Sequence, residues 1–279
     1  MVMGHEAAGV VAAVGAKADP SLTGARVVAM PVVPCGACAR CREDRPNLCP
    51  ERRLMGMHFP GAFAEAFVLP ATQLLRIPDG IEDAAASLAE PLANGIHTAS
   101  RSVVAGDSVL VIGAGAIGLS AARAAVLAGA SLVMVSDRLA GRLALAAALG
   151  AEPVKAEEAG SVVAERTQGE GVDVVIDAVG LPPTWALALE AVRYAGHVEA
   201  IGLGTPDGPL DYHMLVTKGI TIVGAYACVP ADFERSLSLL ATGTVDVGPW
   251  ITTMPLAEGQ HAFERLADND RYNKVVLTP

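Results

Sequence analysis

The stretch from Ser108 to Gly129 constrains this 279-residue chain more than any other. Ser108–Ile112 reads as a buried strand, and Gly113-Ala114-Gly115-Ala116-Ile117-Gly118 follows it directly. Ala116 to Ala128 then has helical composition, with Gly129 placed to end the helix. A G-x-G-x-x-G spacing alone is a weak signal. Between a strand and a helix it has a mechanism: the first glycine makes the tight turn, the second lets a ligand approach the backbone, and the third lets helix pack on strand. Ala116 and Ile117 complete the first helical turn, whose free amides and dipole suit a pyrophosphate. A second strand, Ser131 to Ser136, leads to Asp137, nineteen positions beyond Gly118. A carboxylate there can accept from both hydroxyls of an adenosine ribose and repels a 2′-phosphate, which favours NAD over NADP. Arg138 follows immediately and works against that preference.

The texture on either side of this motif differs. Before about Pro91 the chain reads as short strands with irregular connections: Val10 to Val14, Ala25 to Val33, Ala62 to Leu69 and Gln73 to Ile77. After it, helices at Arg138–Leu149 and Thr184–Tyr194 alternate with strands at Val172–Ile176, His197–Ile201 and Ile220–Val223. Such alternation predicts a parallel sheet covered on both faces. Helical segments at Asp232–Thr242 and Pro255–Asp268 and a strand at Lys274–Leu277 close the chain. The fold class is therefore α/β, a β-rich domain plus a doubly wound one. The expected boundaries are 1–91, 92–228, and 229–279 as a return to the first domain.

Cys35-x2-Cys38-x2-Cys41-x7-Cys49 places four thiols within fifteen residues, in a glycine- and proline-rich segment spanning 34–50. Four thiolates can close a tetrahedral zinc shell with no position left for chemistry, which marks a structural site. No secretion signal precedes them, so metal is read before disulfide, in a cytoplasmic protein. Cys228 has no partner in sequence and reads as a small buried apolar residue. A formal net charge of −10 speaks against nucleic-acid or anionic-membrane binding, and no window is apolar enough to span a bilayer.

Taken together, these sites resemble those of the zinc-containing medium-chain alcohol and polyol dehydrogenases, in the branch of the sorbitol, butanediol and threonine enzymes. Gly4-His5-Glu6-Ala7-Ala8-Gly9-Val10-Val11, with Val14-Gly15, looks like that family's G-H-E segment. The Cys35 to Cys49 spacing equals that of its structural-zinc lobe. Gly61-Ala62-Phe63-Ala64-Glu65, Glu90-Pro91-Leu92-Ala93-Asn94 and the ending Lys274-Val275-Val276-Leu277 are similar to three further family segments.

The resemblance implies a GroES-like catalytic domain, incomplete at its N-terminus, built from both chain ends around an inserted Rossmann domain. It implies a catalytic zinc held by His5, Glu6 and Glu90, and a cofactor site including Asn94, Ile201, Leu203 and Lys274. The family's cysteine ligand lies upstream of G-H-E, where this sequence begins. The activity implied is hydride transfer between NAD and a secondary alcohol, polyol or amino alcohol. The alternative is a non-catalytic NAD-binding relative. Ile220 to Ala225 resembles the edge strand through which family members dimerise, implying a homodimer or homotetramer. His58, Phe59, His97 and His197 are read as surface or packing residues.

Overall fold

The computed structural model describes residues 1–268 and 273–279. They form two compact units, Met1–Ala93 with Ala227–Pro279, and Asn94–Tyr226.

The first part of the chain forms β1 (Ala8–Val10), β2 (Arg26–Ala29), β3 (Val32–Val33), α1 (Ala39–Arg42), β4 (Arg53–Leu54), β5 (Leu74–Arg76), α2 (Asp83–Ser87) and α3 (Ala89–Ser102). β1, β2 and β5 make an antiparallel sheet with β2 central, Val28 facing Ala8 on one side and Leu75 on the other. β3 and β4 pair antiparallel and bracket the thiol segment. The strand expected at Val10–Val14 lies earlier, at Ala8–Val10. Ala62–Leu69, expected as a strand, pairs with none among the described residues. Instead its start holds the N-terminus: the amides of Gly61, Ala62 and Phe63 donate to the carbonyls of Val2, Gly4 and Met3, each at 2.9 Å.

The second unit continues with β6 (Ser108–Ile112), α4 (Ala116–Leu127), β7 (Leu132–Asp137), α5 (Ala140–Ala148), β8 (Glu152–Lys155), α6 (Ala159–Arg166), β9 (Val172–Asp177), α7 (Pro182–Ala191), β10 (Val192–Ala200), α8 (Tyr212–Thr217) and β11 (Thr221–Gly224). Its six strands are all parallel, in the order β11-β10-β9-β6-β7-β8. The order reverses between β6 and β9, the switch point where doubly wound sheets open a crevice beyond their carboxyl ends. Leu110, Ile112, Met134, Val175, Val198 and Leu189 pack into one apolar cluster in this unit. Each such side chain contributes about 1.5–3 kcal/mol by leaving water. The helix expected to reach Tyr194 stops at Ala191. The chain enters β10 at once, through an irregularity between Val192 and His197. Pro182 and Pro183 start α7, where missing amides cost nothing.

The chain returns to the first unit as α9 (Pro230–Ala241), β12 (Ile251–Pro255), α10 (Gly259–Asp268) and β13 (Lys274–Thr278). β12 and β13 pair in parallel, Ile251 opposite Lys274. No described helix is long and apolar enough to cross a membrane.

Candidate metal centres and dinucleotide cradle

The four thiols converge. One sulfur from each of Cys35, Cys38, Cys41 and Cys49 lies within 4.8 Å of the others, and none is in a disulfide. The local chain explains the gathering. Cys38 caps the start of α1 and Cys41 lies within it, while a single 3₁₀ turn, Pro46–Leu48, delivers Cys49. Backbone amides point at sulfur: that of Cys35 donates to Cys49 Sγ at 3.4 Å and that of Ala37 to Cys35 Sγ at 3.5 Å. Cys38 Sγ and Cys41 Sγ are 3.5 Å apart. The Cys41 amide, opposed by desolvation, lowers the Cys38 thiol to about 7, whereas burial and the neighbouring sulfurs raise Cys41 to about 11. One thiolate forms readily and discourages the next, so holding four requires a cation. The donor set and its closeness fit zinc.

His5, Glu6 and Glu90 form the second group, with one ligand atom from each within 4.8 Å of the others. Residues 2–4 are fixed by the bonds to Gly61–Phe63 described above, which aims His5 and Glu6 inward. Glu90 sits in the first turn of α3, only 4% exposed, and the Ser236 hydroxyl of α9 anchors that turn by donating to the Ala89 carbonyl at 2.9 Å. Burial lowers the His5 pKa, against the pull of Glu6, and so favours the neutral imidazole that ligates metal. An imidazole and two carboxylates form a hard donor set suited to a divalent ion. Lys274 of β13 forms an ion pair with Glu6 Oε2, with both side chains mostly buried. Cys228, expected as a small buried apolar residue, is half-buried. Burial and the carboxylates of Glu90 and Asp232 hold its thiol protonated.

In the second unit, Gly113 closes β6 with φ +98° and Gly115 caps α4. A Cβ on Gly118 would lie 1.8 Å from the Gly113 carbonyl oxygen, so only glycine permits this approach. Ala116 and Ile117 form the opening turn of α4. Asp137 ends β7, and its carboxylate accepts from the Ala114 amide at 2.7 Å and the Leu139 amide at 2.9 Å. The acid thus holds the glycine turn in shape while retaining acceptor capacity. Asn94 is buried in α3, whereas Ile201 and Leu203 lie in the loop after β10, Leu203 being 83% exposed.

Three residues carried no spacing signal: Lys274 as the partner of Glu6, Asp177 at the end of β9, and Glu199. Glu199 is fully buried on β10, accepts from the Ser102 hydroxyl and pairs with Arg101 Nε at 3.4 Å. Burial pushes its carboxyl up, against Ser102, Arg101, His197 and His97. His58 accepts from the Leu54 amide at 2.9 Å and Phe59 lies under the Arg53 guanidinium, both as turn residues.

Comparison with known proteins gives a consistent picture. A family described as alcohol dehydrogenase GroES-like domain matches residues 1–79, and one described as zinc-binding dehydrogenase matches residues 116–242. The chain is 34% identical over 282 residues to L-threonine 3-dehydrogenase of Serratia proteamaculans, covering all of this chain and 82% of that protein. Alcohol dehydrogenase TADH from Thermus sp. ATN1 superposes with TM-score 0.90 at 34% identity, over 99% of this chain and 84% of that one. An NADH complex of a protein called short chain alcohol dehydrogenase from Escherichia coli CFT073 superposes with TM-score 0.92 at 28% identity, over 99% and 83%.

Proposed function

We propose, from the premise that this chain belongs to the zinc-containing medium-chain alcohol dehydrogenase family, that it transfers hydride between NAD and a secondary alcohol, polyol or amino alcohol. The chain is a dehydrogenase with a GroES-like domain and a Rossmann-like parallel sheet. The observation that carries the finer reading is the convergence of His5, Glu6 and Glu90 within 4.8 Å.

Bound there, zinc supplies a Lewis acid that lowers the pKa of a substrate hydroxyl, and NAD supplies the hydride acceptor. The protein's part is to hold three ligands and keep their charge balanced. His5 is kept neutral by burial. Glu90 is shielded from water on α3, and Lys274 offsets the charge of Glu6. Asp137 favours two free ribose hydroxyls over a phosphate, which supports NAD rather than NADP. The thiol group has no open position and holds its loop rather than substrate. The edge of β11 has no strand partner among the described residues, which supports assembly as a homodimer or homotetramer.

The test is alcohol-dependent NADH formation by zinc-loaded protein across secondary alcohols, polyols and amino alcohols. Activity with NAD, lost in Glu90→Gln, is expected. No turnover on the whole panel, or equal turnover by Glu90→Gln, contradicts the reading.

A further inference from the structure

We propose that Asp177 and Thr184 are positioning residues for the nicotinamide half of the dinucleotide site, a role that rests on the cofactor reading above. A doubly wound sheet offers two mononucleotide halves on either side of its switch point. The glycine turn after β6 and Asp137 after β7 belong to one half. The loops after β9 and β10 belong to the other, and a single buried carboxylate organises both of them.

Asp177 ends β9 and is 2% exposed. Its Oδ1 accepts from the amides of Val179 at 2.9 Å and Gly180 at 3.0 Å. The Thr184 hydroxyl lies 2.9 Å from Asp177 Oδ2 as a donor and accepts from the Leu181 amide at 3.0 Å. The carboxylate and hydroxyl therefore fix three of the four residues between β9 and α7.

That loop in turn carries the next one. The amides of Ile201 and Gly202 donate to the Asp177 carbonyl at 3.0 and 2.9 Å. Those of Gly204 and Thr205 donate to the carbonyls of Val179 and Gly180 at 3.0 and 3.1 Å. The two loops touch so closely that a Cβ on Gly180 would lie 2.2 Å from the Gly202 oxygen. Val179 also reaches the first half of the site, its Cγ2 being 2.7 Å from where a Cβ on Gly113 would sit. Leu203, highly exposed at the tip of the second loop, has its course set by bonds on either side of it. Loss of the Thr184 hydroxyl would leave a buried carboxylate oxygen and the Leu181 amide poorly matched, and the loops would relax together.

The experiment titrates wild type, T184V and T184S with NADH and, separately, with ADP-ribose, which lacks nicotinamide. D177A is the direct variant, and T184V keeps the test open should D177A fold poorly. T184V is expected to weaken NADH about threefold to tenfold, the effect of one or two lost hydrogen bonds. It should leave ADP-ribose within about twofold, and T184S should restore NADH binding. Equal weakening of both ligands would show a merely structural role and overturn the proposal, as would unchanged NADH affinity. If wild type binds neither ligand, the cofactor reading itself fails and takes the proposal with it.

Discussion

The two units differ in what carries their ligand groups. In the doubly wound unit, β6, β7 and β9 each contain four or five buried residues, and Leu110, Ile112, Met134, Val172 and Val175 from them join one apolar cluster. In the other unit, β1, β3 and β5 contain no fully buried residue, and the buried apolar side chains come from β2 and from α3 and α9, among them Leu92, Phe233 and Leu237. The doubly wound unit sets its ligand turn on a sheet already stabilised by apolar burial. The other gathers its ligand groups from short segments far apart in sequence, a terminal stretch, a cysteine-rich loop with one helical turn and the start of α3, so metal binding there is part of folding. A ligand site on a stable scaffold can lose its ligand and keep its shape, whereas a site that cross-links loops cannot.

The sharpest way to break this contrast is to remove metal from the thiol group. Structural zinc in isolated fingers is worth about 10–16 kcal/mol. Cys49→Ser should therefore abolish amide-exchange protection over residues 32–54 while β6 to β10 stay protected. Uniform protection in both regions would refute the contrast. The converse test is Leu110→Ala in the apolar cluster, which should cost about 2–5 kcal/mol in denaturant unfolding and leave zinc content unchanged. A loss below about 1 kcal/mol would mean that burial is not what holds this sheet.

A smaller effect comes from Glu199. Its folded pKa lies above its ordinary value, so the folded unit holds this proton more tightly than the unfolded chain. The associated stability is fully present below the ordinary glutamate range and is lost as pH rises through the raised folded value. Thermal unfolding of wild type and Glu199→Gln, taken as a difference across mildly acidic to neutral pH, should show wild type losing relative stability as pH rises. A flat difference would count against it. The smallest expected effect is at Lys274. Lys274→Met removes a cation beside the Glu6 carboxylate and should tighten zinc at the His5 group by about tenfold in a chelator competition. Weaker binding would mean that the lysine positions Glu6 rather than competing for it.

How far each unit was legible follows from the same contrast. β6, β7 and β9 were readable because strands buried on both faces are continuous apolar runs. The thiol group and the glycine turn were readable because their residues lie within one short loop each. Glu90 was found by resemblance alone, since a carboxylate in a first helical turn is ordinary. α3 went unread because Pro91, Asn94 and Gly95 interrupt its helical pattern, and β8 because Pro153 sits inside its four residues. Ala62–Leu69 is an apolar run of strand length broken only by Glu65, yet such a run becomes a strand only when a neighbour supplies its hydrogen bonds. Glu199 and the Lys274–Glu6 pair act across the fold, joining residues far apart in sequence, whereas the Asp177 carboxylate bonds residues two to seven positions on, in a pattern that matches no short motif.

The chain carries two ligand groups suited to zinc sites of different kinds, one of four thiols and one of an imidazole and two carboxylates. Metal analysis of wild type and Glu90→Gln, after dialysis against trace zinc, tests this directly. The two ligand groups predict two zinc ions per wild-type chain, and loss of one of them in Glu90→Gln without loss of the thiol-bound ion. A single zinc in both proteins would contradict the account.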